Sequence, residues 1–303
     1  MPRAEMRKSY VVIHVKIEED RVIFCELNLW KKSKVTMRKI NSMRSQNSAS
    51  SRPHRDSEQS KRPVQPINAP EVREIGAPIN GEPQYSTRRL FLQLQIFTGC
   101  SQPHELINSL KTSDLEAVLY HDLNDPKGIG LLFMTEDADA LVAETRRLLT
   151  SEPFNLLQPK PELTMVGRTY ASGREPDLED WLLVKPRRNT LNPELSWAIW
   201  YPLRRKPEFY RLPKQEQGKI LMEHAMIGRN YVEAGYAHDI RLACFGLDAH
   251  DNDFVIGLMG TTLHPLSHLV GEMRKSQQTA EYLESLGPFF VGKVCWQSPC
   301  DII

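Results

Sequence analysis

No apolar run in this chain approaches the roughly 18 residues that a membrane-spanning helix needs, and residues 1–17 hold too short an apolar block for a secretory signal. Neither a membrane span nor export is expected, and the sequence reads as cytoplasmic. Cysteine is sparse: Cys25, Cys100, Cys244, Cys295 and Cys300 are odd in number and scattered, with no C-x-x-C and no zinc spacing. That speaks against a disulfide framework and a structural zinc site, and for reduced thiols. The glycine-rich dinucleotide fingerprint, the P-loop and the G-x-S-x-G elbow are missing, so nothing points to nucleotide binding or serine-hydrolase chemistry. Excess charge of one sign is missing too, with 39 Lys and Arg against 38 Asp and Glu. A formal net charge of +1 over 303 residues creates no whole-chain field that would gather nucleic acid.

The charge that is present lies unevenly. Residues 1–65 hold 15 Lys and Arg against 7 Asp and Glu, leaving 24 against 31 for the remainder. Residues 10–30 read as two β-rich runs around Glu18-Glu19-Asp20, a hairpin, and residues 41–86 as a basic, Ser- and Pro-rich disordered linker with little to bury. Residues 1–86 are therefore expected to be an appendage, with Met43 as an alternative start. From residue 87 the pattern is regular. Strands over 89–98, 117–121, 128–134 and 163–170 alternate with helices over 104–111 and 137–149, in the order βαββαβ. The order then repeats as strands over 196–201, 238–247, 253–260 and 289–295, with helices over 214–231 and over 265–274 extended by 279–286. Two halves, 87–172 and 194–303, joined by a polar linker over 173–193, predict an α+β fold of tandem ferredoxin-like halves. Pairing their sheets makes a barrel with helices outside and a cavity at the sheet edge.

The candidate functional centre is the helix that opens after Pro213 and stops at Gly235. Ile220, His224, Ile227 and Tyr231 recur at the helical period, so a histidine sits in the middle of an inward apolar stripe. Read by itself, His224 is either a core histidine satisfied by a neighbouring carbonyl or a metal or heme-iron ligand, since neutral imidazole is a common iron donor. His264 and His268 share a helix face without a third ligand in view, and His238 could serve as a proton acceptor.

Around this helix the motifs WYP (200–202), FYRLP (209–213), HAMIGRNY (224–231), FGLD (245–248), EMR (272–274) and LGPFFVGK (286–293) follow one another. In that order they resemble the chlorite dismutase family, whose largest branch is the coproheme decarboxylases that make heme b. The resemblance covers residues 185–295 and, more weakly, 87–170. It implies tandem ferredoxin-like halves forming a dimeric α+β barrel within one chain, heme in the C-terminal half, and a ring of subunits, usually a homopentamer. By the H-x-x-I-G-R-x-Y match, His224 is implied to be the proximal iron ligand, with Glu272 as acceptor for its imidazole N–H. Tyr201 takes the place of the redox tyrosine beside a substrate propionate, hydrogen peroxide being the oxidant. Lys185, Arg187 and Arg205 stand near the positions of basic contacts to the four carboxylates of iron coproporphyrin III (coproheme), and Thr279 where some members have a hydroxyl.

Two departures from the family bear on activity. Chlorite dismutases carry an arginine on the distal side of the heme, beyond the ligand, and many decarboxylases carry a glutamine there. Residues 232–241 do not keep the family's length: counted from His224 the distal position is Ala237, counted back from FGLD it is Asp239, with His238 and Arg241 beside them. Alanine or aspartate cannot hold a hypochlorite leaving group against the iron. The loop PLRRKPE (202–208) is also shorter than in many decarboxylases. The resemblance thus implies conversion of iron coproporphyrin III to heme b by oxidative decarboxylation of two propionates. A heme-binding or heme-transfer protein with little catalysis, and a heme peroxidase or chlorite-degrading relative, are the alternatives.

Overall fold

The computed structural model describes residues 69–300 and, ahead of them, strands β1 (His14–Glu18) and β2 (Arg21–Cys25). Backbone contacts divide the chain into two units, Met1–Pro66 and Ile67–Ile303. In the first, β1 and β2 pair antiparallel with Ile17 opposite Val22. The expected linker up to residue 68, Met43 included, lies outside the described residues.

The part of that linker which is described is folded, contrary to expectation. Strands β3 (Glu74–Ile79) and β4 (Glu82–Ser86) form a hairpin over Asn80-Gly81. Both turn residues have positive φ, 53° and 87°, the conformation that a two-residue primed turn demands and that Asn-Gly adopts readily. The low apolar content hid this local signal. Gln84 fastens the hairpin by donating to the carbonyls of Ala77, Glu175 and Pro176 and accepting from the Leu178 amide.

The first half comprises β5 (Phe91–Thr98), α1 (Pro103–Lys111), β6 (Glu116–Asp122), β7 (Ile129–Thr135), α2 (Ala138–Leu149), the short β8 (Gln158–Pro159) and β9 (Met165–Arg168). A connection containing α3 (Lys185–Thr190) leads to the second half. This comprises β10 (Trp197–Arg205), α4 (Pro207–Arg211), α5 (Lys214–Glu233), β11 (His238–Ala243), β12 (Phe254–Gly260), α6 (Leu263–Met273), α7 (Gln277–Tyr282), β13 (Leu283–Leu286) and β14 (Phe290–Gln297). The strands lie in the order β9-β5-β7-β6 in one half and β11-β12-β10-β14 in the other, the ferredoxin-like order in each. Pairing of β9 with β11 and of β6 with β14 closes the eight into one antiparallel barrel, as the repeat predicts.

Alternation along each strand decides what goes inside. Leu92, Leu94 and Ile96 of β5, Ala198 and Trp200 of β10, and Ile240 and Leu242 of β11 point into the barrel core. The opposite faces carry Leu119, Leu131 and Phe133 against α1 and α2, and Ile199, Tyr201, Leu203 and Leu258 against α5 and α6. Glycine makes room for the largest interior side chains. A Cβ at Gly257, directly across from Trp200, would stand 2.5 Å from the indole.

Two further expectations are corrected. The stretch over 173–193 is not a plain connection: a wide helical turn, Asp180–Val184, runs into α3, and Leu178, Leu182, Leu183 and Leu191 belong to the barrel core. The helix expected over 279–286 ends at Tyr282, and β13 follows it to pair with the end of β10. Among the described residues no helix is long and apolar enough to cross a membrane.

Candidate functional site

Helix α5 lies over the outer face of the second half-sheet and is stopped by a Schellman turn. Gly235, at φ +70°, donates to the Val232 carbonyl and Tyr236 to that of Tyr231. At the other end the Gln217 side chain donates to the Leu212 carbonyl at 2.8 Å. Between these ends the predicted stripe faces inward, with Ile220 buried and His224, Ile227 and Tyr231 half-buried. Between α5, α6 and the sheet lies a cavity of about 300 Å³. Its apolar walls come from Leu203, Ile256, Leu258, Leu269, Val270 and Leu286.

His224 faces this cavity. Its Nδ1 is 3.0 Å from Ser276 Oγ, which in turn lies 2.8 Å from the Met273 carbonyl. Burial, helped by the positive charges of Arg205 and Arg241, lowers the imidazole pKa to about 4, so the ring is neutral near pH 7. Tyr201, on β10, lines the same cavity and stacks on Phe289 with centroids 4.8 Å apart. Burial and the charge of Asp239 raise its phenol pKa, which Arg274 partly offsets, so the hydroxyl keeps its proton.

The candidate distal residues share one wall. Asp239 and Arg241 alternate onto the cavity face of β11, Ala237 lines the cavity just ahead of that strand, and His238 lines it too. Asp239 lies 3.6 Å from Lys185 Nζ and 3.1 Å from Arg241 Nε, and both cations sit over the Trp181 ring. Asp239 is the only carboxylate among the described residues that line this cavity, whereas Lys185, Arg229 and Arg241 all do. Thr279 lines it as well, 3.3 Å from Ser276 Oγ. Arg205 stands behind, its guanidinium between the rings of Phe209 and Phe254 and its buried Nε without a partner.

Two expected site residues do not join the group. Arg187 donates from Nε to both carboxylate oxygens of Glu116 and lies 3.5 Å from Glu136, in the first half. Glu272 pairs with Lys275 at 2.6 Å, and Ser276 takes the place expected of it beside the imidazole. Ser276, Trp181, Arg229 and Gln278 went unnoticed in the sequence. Only Arg229 had a signal, inside HAMIGRNY; the others reach the site through contacts between distant elements. His264 and His268 find no third ligand among the described residues, and His268 Nδ1 is engaged by the Tyr231 hydroxyl.

The donor set fits an iron porphyrin. One neutral imidazole offers a nitrogen donor, apolar side chains suit the macrocycle faces, and cations at the edge suit its carboxylates. Buried Gln278 Oε1, an acceptor without a protein partner on a residue that lines the cavity, is a polar atom that a water accompanying a bound ligand could satisfy.

Comparison with known proteins identifies a family and a fold. The family model described as chlorite dismutase matches residues 105–295. A coproheme decarboxylase of Oceanobacillus iheyensis is 31% identical over 113 residues, which is 36% of this chain and only 43% of that relative's length. Among solved structures, a heme-binding protein of Thermus thermophilus superposes with a TM-score of 0.56 at 20% identity, over 68% of this chain and 91% of its own. The chlorite dismutase of Candidatus Nitrospira defluvii, in complex with imidazole, superposes with a TM-score of 0.53 at 13% identity, over 71% and 93%. At such identities the structural likeness is one of fold.

Proposed function

This chain belongs to the chlorite dismutase family, and from that premise we propose that it is a heme-binding, hydrogen peroxide-dependent coproheme decarboxylase. The observation that carries the reading is a single apolar cavity in which the neutral imidazole of His224 and the protonated phenol of Tyr201 both stand, with Lys185, Arg229 and Arg241 along it. The match to the Oceanobacillus iheyensis decarboxylase supports the choice of branch.

In this reading His224 Nε2 would hold the iron, and Lys185, Arg229 and Arg241 would take substrate carboxylates, while Arg205, stacked between Phe209 and Phe254, does not line the cavity. Arg187, engaged by Glu116 and Glu136, has no part in it. When bound, the iron porphyrin supplies the redox centre at which peroxide is reduced. Each propionate becomes a vinyl group by losing carbon dioxide, one proton and two electrons. One hydrogen peroxide accepts those two electrons and, with two protons, leaves as two waters. Tyr201 gives up its phenolic proton and an electron together and recovers both from the propionate methylene; the second electron leaves as the carbon–carbon bond breaks. A raised phenol pKa suits this, because it keeps the hydrogen on oxygen until the electron departs.

The test is to load the protein with iron coproporphyrin III, add peroxide in small portions and follow the porphyrin by mass spectrometry. Successive loss of two carboxyl groups supports the reading. An intact or bleached porphyrin beside tight heme b binding favours a heme carrier or peroxidase. A chlorite-degrading or peroxidase role draws its support from Arg241, which faces the cavity; its ion pair with Asp239 weighs against that role by neutralising the charge a leaving anion would need. A homopentameric ring is part of the proposal.

A further inference from the structure

We propose that Ser276 is a positioning residue that fixes the tautomer and sets the donor strength of His224, through a neutral hydroxyl and not a carboxylate. This rests on the reading of His224 as the iron ligand. Ser276 is 1% exposed, at the turn between α6 and α7. Its Oγ meets the Met273 carbonyl at 2.8 Å and His224 Nδ1 at 3.0 Å. Besides the imidazole the hydroxyl has two acceptors, the Met273 carbonyl and Thr279 Oγ1 at 3.3 Å, and with its proton on either of them the oxygen accepts from the imidazole. In that arrangement Nδ1 carries the ring hydrogen, which leaves the Nε2 lone pair for the metal.

The nearby carboxylates are committed elsewhere. Glu223, next to His224 on α5, accepts from the Gln277 amide at 3.1 Å, and Glu272 is held by Lys275. A carboxylate behind the ring would draw the Nδ1 proton and make the imidazole strongly basic; a hydroxyl draws it far less. The geometry therefore predicts a weakly basic proximal histidine, which favours ferrous over ferric iron compared with a carboxylate-backed one.

The test uses the full chain reconstituted with heme b. The readouts are heme affinity, the ferric/ferrous midpoint potential and the iron–histidine stretching frequency of the ferrous form by resonance Raman. Ser276→Asp should move the midpoint to more negative potential and raise the stretching frequency. Ser276→Ala should shift both the other way and weaken heme binding about 10- to 100-fold, and Ser276→Thr should restore wild-type values. If Ser276→Asp and Ser276→Ala both fold, by circular dichroism, and leave potential and frequency unchanged, the inference is wrong. Where Ser276→Asp does not fold, the direction of the Ser276→Ala shift and its rescue by threonine decide alone. A His224→Gln variant with the wild-type heme spectrum would show instead that His224 is not the ligand.

Discussion

Burial of His224 gives the heme-free protein a pH dependence that can be worked out by sign. The folded pKa is about 4, and the unfolded value is about 6.5. Between these values the unfolded chain binds more protons than the folded one, so stability rises with pH across the window and is flat below and above it. On the order of 3 kcal/mol is at stake, since each tenfold difference in proton affinity between the two states is worth about 1.4 kcal/mol. Urea melts of the heme-free protein at pH 4 and pH 7 should show this loss on acidification, and His224→Gln should reduce it by that order. Tyr201 carries a second expectation at this scale. Tyr201→Phe removes only a hydroxyl from a side chain whose ring packing against Phe289 remains. Porphyrin binding should therefore stay within a few-fold of wild type while decarboxylation is lost; heme b formed at the parental rate, followed by mass spectrometry, would remove Tyr201 from the mechanism.

Elements place these residues through features that differ in how local they are. The Schellman turn at Gly235 and the primed turn at Asn80-Gly81 are written in two or three neighbouring residues. The packing of β10 on β12 is not: Trp200 occupies space that only a residue without a Cβ leaves free at Gly257. Gly257→Ala should accordingly cost about 1–3 kcal/mol through overpacking of the barrel core, read as a lower midpoint in thermal or urea unfolding. Since β10 also carries Tyr201, on its other face, the same variant should lower the yield of porphyrin-bound protein more than the affinity of the molecules that do fold.

At the scale of the molecule, every residue lining the cavity lies in the unit Ile67–Ile303. A protein consisting of residues 67–303 should fold cooperatively and bind heme b with an affinity within a few-fold of the full chain. Unfolded material, or more than a ten-fold loss of affinity by titration, would show that the first unit takes part. The barrel also explains why the site sits where it does: only the second half places a long helix, α5, over a sheet face with space left between them, whereas in the first half α1 and α2 lie directly on Leu119, Leu131 and Phe133.

Period and motif determined a good deal. Alternation over 89–98 and its echo in the second half predicted two ferredoxin-like halves, and the 3.6-residue stripe predicted that His224 faces inward. The motif order singled out Tyr201 and the β11 wall. What the sequence left undecided is what depends on contacts between distant elements. Ser276 meets His224 across 52 positions because the α6–α7 turn packs on α5, and nothing local to a serine announces that. The same holds for Arg187, whose charge meets Glu116 of the first half, 71 positions away, whereas Glu272 is taken up locally by Lys275, three residues on. A periodic pattern fixes the direction of a side chain relative to its own element; the partner it meets is chosen by which elements pack together, and that was settled only when the eight strands closed into a barrel.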